Sequence, residues 1–185
     1  MTTAELVLRS GTSNADVVRH LDGLAADERM QQCLSLSPTQ QRALWEIASA
    51  APSPQDELIR TDADTQEFAG RNSLAVLSRF EKRFFRSAGL IFGYNKHPLA
   101  WLIGPGYFAV AARPDGGLRF DYRELPKTAP AGWPAVRPNS ATFARSVYGD
   151  LVDEVVWVGR DVLVGAAFRA GAPLNSYFVL VRKSA

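Results

Sequence analysis

The residues of this chain that could do chemistry are few and scattered. There are two histidines, His20 and His97, and they lie far apart in the sequence. His20 falls in a helical pattern and reads as a partly exposed helix residue. His97 sits in Tyr94-Asn95-Lys96-His97-Pro98, which reads as a turn between strands. Functional residues favour loops, but most loop residues are not functional. Neither an HxH nor an HExxH spacing occurs, and Cys33 is the single cysteine. A metal centre needs several converging ligands, so none is expected, and no cofactor is expected either. Cys33 lies on the apolar side of a helical segment and reads as a small core residue.

Nucleophilic and phosphate chemistry leave no signature. A Ser-His-Asp triad stays open because its members need not be adjacent, yet no GxSxG elbow is present. Gly89, Gly93, Gly104 and Gly106 lack the GK[ST] ending of a phosphate loop, and Gly104-Pro105-Gly106 reads as a bend. The remaining candidates are acids and phenols. Asp121, Tyr122, Arg123 and Glu124 end one strand pattern, and Asp153 and Glu154 open another. If catalysis occurs, His97, Asp121 and Tyr122 are the acid–base candidates. Simple alternation places Phe120 and Tyr122 inside and the charged Arg119 and Asp121 outside.

The elements that must position these residues change character along the chain. Residues 13–50 read as a helical segment. Ser13 caps Val17, Val18, Leu21 and Leu24, and Ser37-Pro38-Thr39-Gln40 is a capping box with proline in the first turn. Residues 1–12 carry no strong pattern and read as loose chain or a short edge strand. Residues 51–67 read as an acidic connection over the surface. Residues 68–88 read as an amphipathic basic helix, with Leu74, Leu77, Phe80 and Phe84 on one stripe and Arg79, Lys82, Arg83 and Arg86 on the other. A strand is the competing assignment there, because Val76-Leu77 and Phe84-Phe85 also suit a sheet. The cationic face could meet an anionic partner, although a solvated face is the ordinary reading; nucleic acid is not an expected partner.

From 89 to 185 the pattern is an antiparallel β body. Leu90-Ile91-Phe92, Trp101-Leu102-Ile103 and Tyr107 to Ala111 read as strands, followed by a Pro114-Asp115-Gly116-Gly117 hairpin turn and Leu118 to Tyr122. Residues 124–140 hold Pro126, Pro130, Pro134 and Pro138 and must be a long loop. Val155–Val158, Val162–Phe168 and Tyr177–Val181 are the strongest strand patterns. The chain thus reads as a single α+β domain. Its N-terminal helices precede a strongly curved, mainly antiparallel sheet of about six strands, barrel-like in shape.

The last forty residues, Asp150-Leu151-Val152-Asp153-Glu154 through Phe178-Val179-Leu180-Val181-Arg182, resemble the closing strands of small antiparallel barrels. Lipocalin-like and fatty-acid-binding-type proteins share this calycin-type shape. The likeness covers under a quarter of the chain and lacks the lipocalin GxW signature near the N-terminus.

Composition bounds the function. The 185 residues are 46% hydrophobic and 22% charged, as in an ordinary globular protein. No apolar run is long enough for a membrane helix, and no signal peptide is recognisable, which with the lone cysteine favours the cytoplasm. The net charge of +2 conceals an asymmetry. Residues 1–67 carry eleven acids and five bases, whereas residues 68–185 carry eight and sixteen. The favoured reading is a small-molecule binding protein for an apolar or amphipathic (lipid-like) ligand held in the curved sheet, its mouth covered by the 124–140 loop or the helices. Tyr94, Trp101, Tyr107, Tyr122, Trp157 and Phe168 are the expected lining. A metal-independent isomerase, cyclase or hydrolase in the same cavity is the alternative, and a protein-interaction module is a third.

Overall fold

A computed structural model describes residues 1–74, 78–140 and 142–183. Four short helices open the chain: α1 (Thr3–Leu8), α2 (Asn14–Gly23), α3 (Ala26–Leu34) and α4 (Pro38–Ala48). Eight strands follow: β1 (Thr65–Asn72), β2 (Arg79–Ser87), β3 (Leu90–Lys96), β4 (Phe108–Ala112), β5 (Leu118–Asp121), β6 (Leu151–Gly159), β7 (Val162–Arg169) and β8 (Ala172–Arg182). Each strand pairs antiparallel with the next, and β8 pairs back onto β1, so the sheet closes into a barrel without edges. Two short helices, α5 (Ala100–Ile103) and α6 (Thr142–Tyr148), interrupt the meander.

Local chemistry accounts for most of these elements. Ser13 and Ser37 form the expected capping boxes with Asp16 and Gln40. A further box, Thr2 with Glu5, starts α1 in a segment whose sequence shows no apolar period. Buried Leu21, Cys33, Leu44 and their neighbours on α1–α4 pack on Val156, Val158, Val162, Val164, Val179 and Val181. These valines form the outer face of β6–β8. Where they lie under the helices, those three strands are apolar on both faces, which is why those stretches read so strongly as strands.

The described residues of 68–88 form strands, not a helix. They supply most of β1 and all of β2, which pair with Gly70 opposite Phe80 and Phe68 opposite Lys82. Val76 and Leu77 lie outside the described residues, and Leu74 is exposed. Phe80, Lys82 and Phe84 share a face because they alternate along a strand. The spacing Phe80–Phe84 fits both periods, and the closure of the barrel by β8 decides between them. Trp101-Leu102-Ile103 is helical rather than a strand, while β1 and β2 join the sheet, which has eight strands where the sequence reading expects about six.

The barrel interior is a stack of aromatic rings. Phe68, Phe84, Phe108 and Phe120 are fully buried, with centroids 5.0–5.7 Å apart between successive contacts. Such pairs contribute roughly 0.5–1.5 kcal/mol each beyond their burial. Three inward glycines make room for rings directly across the ladder: Gly70 for Phe80, Gly93 for Phe108 and Gly165 for Phe178. A Cβ on Gly70 or Gly93 would sit 2.6 Å from its ring, well inside van der Waals contact.

The two ends of the barrel differ. At one end, residues 51–61 run across the opening, with a 3-10 turn at Gln55–Leu58. Leu58 and Ile59 enter the aromatic core and close that end. The strap is held by Ser53 N–H to Gly116 O at 2.7 Å, Trp157 Nε1–H to Pro54 O at 3.1 Å and Arg86 to Ile59 O at 2.8 Å. The acidic connection is therefore a plug. At the other end, α5 and α6 lean over the opening, with Ile103, Ala144, Val147 and Tyr148 joined to the core.

Candidate functional site

Beneath α6, the barrel holds a cavity of about 370 Å³. Phe80, Phe178, Leu151, Ala167, Ile103 and Val147 are among its apolar walls. Its polar groups converge at the base: Lys82, Asn95, Tyr122 and Asp153 come from β2, β3, the end of β5 and β6. Alternation aims each of them inward, since each shares parity with a core residue on its own strand (Phe84, Ile91, Phe120 and Val155).

Lys82 is the centre of this group, with 3% of its side chain exposed. Its Nζ donates to Tyr122 Oη at 2.6 Å, Asn95 Oδ1 at 2.8 Å and Asp153 Oδ2 at 3.1 Å. Three donors thus meet three acceptors. Tyr122 accepts from Lys82 and from Asn95 Nδ2 at 3.0 Å, and donates to Asp153 Oδ2 at 3.0 Å. Five rings surround the ammonium, those of Phe80, Phe108, Phe120, Tyr122 and Phe178, with centroids 4.8–5.6 Å away. Burial holds the Lys82 ammonium below the ordinary lysine range, and the Asp153 carboxylate opposes that shift. Burial, reinforced by the Asp153 charge, pushes the Tyr122 phenol well above its usual value.

A second pair lies next to the first. Tyr148 stacks on Tyr122 at 5.4 Å with the rings nearly parallel, and its Oη is 2.9 Å from His97 Nε2. Burial pushes Tyr148 up and His97 down, so a neutral imidazole and an un-ionised phenol are favoured. Arg169 lines the cavity near the mouth and donates to Ser146 O and Val147 O at 3.1 and 2.9 Å. This ties the end of β7 to the last turn of α6.

The expected site residues distribute unevenly. Tyr122 and His97 line the cavity. Asp121 faces outward, where Arg123 grips it through Nε at 2.8 Å and Nη2 at 2.6 Å and lowers its pKa. The inward acid is Asp153. Tyr94 and Tyr107 lie on the outer wall with Phe85 and Phe92, under Trp133 of the proline loop. The loop 124–140 is thus packed against the side of the barrel, not over its mouth. Trp157 points inward at the plugged end, and Phe168 sits between cavity-lining Ala167 and Arg169 on the opposite face of β7. Trp101 is 76% exposed on α5.

The expected cationic cluster disperses. Lys82 is inside, Arg83 pairs with Glu67 and Glu81, and Arg86 binds the strap, which leaves Arg79 exposed. The sequence reading lacks Asn95 and Tyr148 as site residues, takes Lys82 for the cationic face and names Asp153 only among the acids that open a strand pattern. The available signal is parity: as a strand, the competing assignment, 79–87 puts Lys82 between Phe80 and Phe84. Among the described residues no group of acids, histidines and cysteine could hold a metal ion, and no helix is long and apolar enough to cross a membrane. Cys33 is buried among the helices, where burial pushes its thiol up to about 12.

Fold and site together define a class: an eight-stranded antiparallel barrel, flanked by helices on one side, plugged at one end and hollow above a buried polar cluster at the other. Comparison with protein-family models, curated proteins and solved structures returns no match.

Proposed function

We propose that this protein binds a small, mostly apolar molecule in the barrel cavity, with the ligand's polar end at the Lys82–Asn95–Tyr122–Asp153 cluster. The observation that carries the reading is the cavity itself: mostly apolar walls with a few convergent polar groups at the base, in one end of an otherwise ring-filled barrel. Its volume suits a ligand of roughly ten to fifteen non-hydrogen atoms, at the small end of the usual pocket range. Thermal-shift and calorimetric titration with medium-chain and aryl-alkyl alcohols tests it. Saturable stabilisation is expected, and Ala167→Phe, which fills the cavity, should abolish it while leaving the fold intact. Lack of stabilisation across the series would contradict the reading.

A second reading, metal-independent acid–base catalysis in the same cavity, is favoured by the Lys82–Tyr122–Asp153 contacts. They link an ammonium, a phenol and a carboxylate within hydrogen-bond reach. Asp153→Asn with unchanged turnover on any substrate that is found would remove Asp153 from such a mechanism.

A further inference from the structure

We propose that Lys82 forms a reversible imine with a small apolar aldehyde or ketone seated in the cavity, Tyr122 and Asp153 moving the protons; this rests on the cavity being a binding site. Three observations converge. First, Lys82 is the lysine at the cavity wall, and it stands at the base of an apolar chamber rather than at the surface. Second, the groups that touch its Nζ are those that imine formation needs: a carboxylate to take a proton from the ammonium, and a phenol to hand one to the carbonyl oxygen. Third, the five surrounding rings keep the nitrogen away from bulk water, which would otherwise hydrolyse the imine.

A purely structural role accounts for these features less well. A buried lysine–aspartate pair contributes little net stability compared with well-packed apolar residues. The plugged end of this barrel buries an arginine instead, whose guanidinium keeps its proton and is no nucleophile.

The chemistry balances without an oxidant. Lys82 passes a proton to Asp153 Oδ2, and the neutral amine attacks the carbonyl carbon, forming the C–N bond. The carbonyl π pair moves to oxygen, which takes a proton from Tyr122, and Asp153 restores the phenol. The nitrogen then loses a second proton to Asp153, giving the carbinolamine. The hydroxyl leaves as water with that proton while the nitrogen lone pair forms C=N. One water is released. The protonated imine retains the positive charge that Lys82 brought, and Asp153 is again a carboxylate beside it.

The test uses the full chain, 3-phenylpropanal and sodium cyanoborohydride near neutral pH. Intact mass and peptide mapping read the site of the reduced adduct among the four lysines, Lys82, Lys96, Lys127 and Lys183. Lys82 is expected to be labelled at least about tenfold faster than each of the other three, since a carboxylate and a phenol placed on its Nζ can supply at least that factor by proton transfer. Lys82→Arg should lose that adduct, and the parent protein should bind 3-phenylpropan-1-ol. Ala167→Phe, which leaves Lys82 in place, should lose both. Labelling confined to the other lysines or the N-terminus, with the alcohol still bound, overturns the imine and leaves the binding reading standing. Failure of the alcohol to bind as well overturns both.

Discussion

At one end of the barrel the buried cation is Arg182; at the other it is Lys82. Arg182 donates to Asp161 Oδ1 at 2.6 Å and to the carbonyls of Leu58 and Glu57 at 3.1 and 2.5 Å. It lies over the rings of Phe68 and Trp157, and Asp161 also faces Arg29 and Arg60. The two carbonyls belong to the strap that fills the opening, so Arg182 fastens it to the barrel. Lys82 is equally well supplied with acceptors, but they are side chains of the barrel wall, and what lies above them is space. The same device, a cation buried among rings and paired with one acid, closes one end and furnishes the other. The neighbouring chain decides which: a strap carrying Leu58 and Ile59 in one case, and two short helices that stop short of the base in the other.

The comparison can be broken by substitution. The largest effect is expected for Lys82→Ala, which strands Asp153 in the interior and should cost about 3–5 kcal/mol in urea unfolding. The double variant Lys82→Met, Asp153→Leu should recover to within about 1 kcal/mol of the parent or exceed it, because an apolar pair of similar volume replaces a desolvated ion pair. It should lose ligand binding all the same. A double variant that stays as unstable as Lys82→Ala would mean that the pair is needed for folding.

Arg182→Met should cost somewhat less, about 2–4 kcal/mol, since Asp161 keeps Arg29 and Arg60 but two strap carbonyls lose their donor. Hydrogen exchange should then speed up first at Gln55–Ile59 and leave the cavity end unchanged. Gly93→Ala is expected to cost about 1–3 kcal/mol by driving a methyl into the Phe108 ring, measured as a shift in the urea midpoint.

The smallest effect is on pH dependence. Burial depresses His97 below its ordinary 6.5, so the unfolded chain takes up this proton at a higher pH than the folded protein does. Stability tied to His97 is therefore fully present above pH 6.5 and declines as the pH falls from there through the folded value. His97→Gln should flatten the stability profile between about pH 7 and pH 5; an unchanged slope would show that His97 does not contribute to it.

Much of this architecture was legible in the sequence because local and global preferences agreed. Val155–Val158 and Tyr177–Val181 face the rings on one side and the helices on the other, so their apolar runs admitted no reading but strand. Ser37 and Gln40 announced α4 by capping chemistry alone. The site was less legible for a definite reason. Phe80 and Phe84 are four apart, a spacing common to helix and strand, and the charges between them favoured the amphipathic helix. A helical reading puts Lys82 in water, and nothing local in the sequence ties it to Asp153, its partner 71 positions away. Aromatic residues misled for a related reason. Tyr94 and Tyr107 are as buried as the ring stack, but they are buried on the outer wall by the proline loop. Only closure of the barrel tells those two faces apart.

The central claim is that the hollow end, and not the plugged one, receives a small apolar molecule with its polar group beside Lys82. Backbone-amide NMR during titration with 3-phenylpropan-1-ol tests it most directly. The account predicts saturable shifts at Lys82, Asn95, Asp153, Ala167 and Phe178, with Leu58, Trp157 and Arg182 unmoved. Shifts centred on the strap end, or none that saturate, would contradict it.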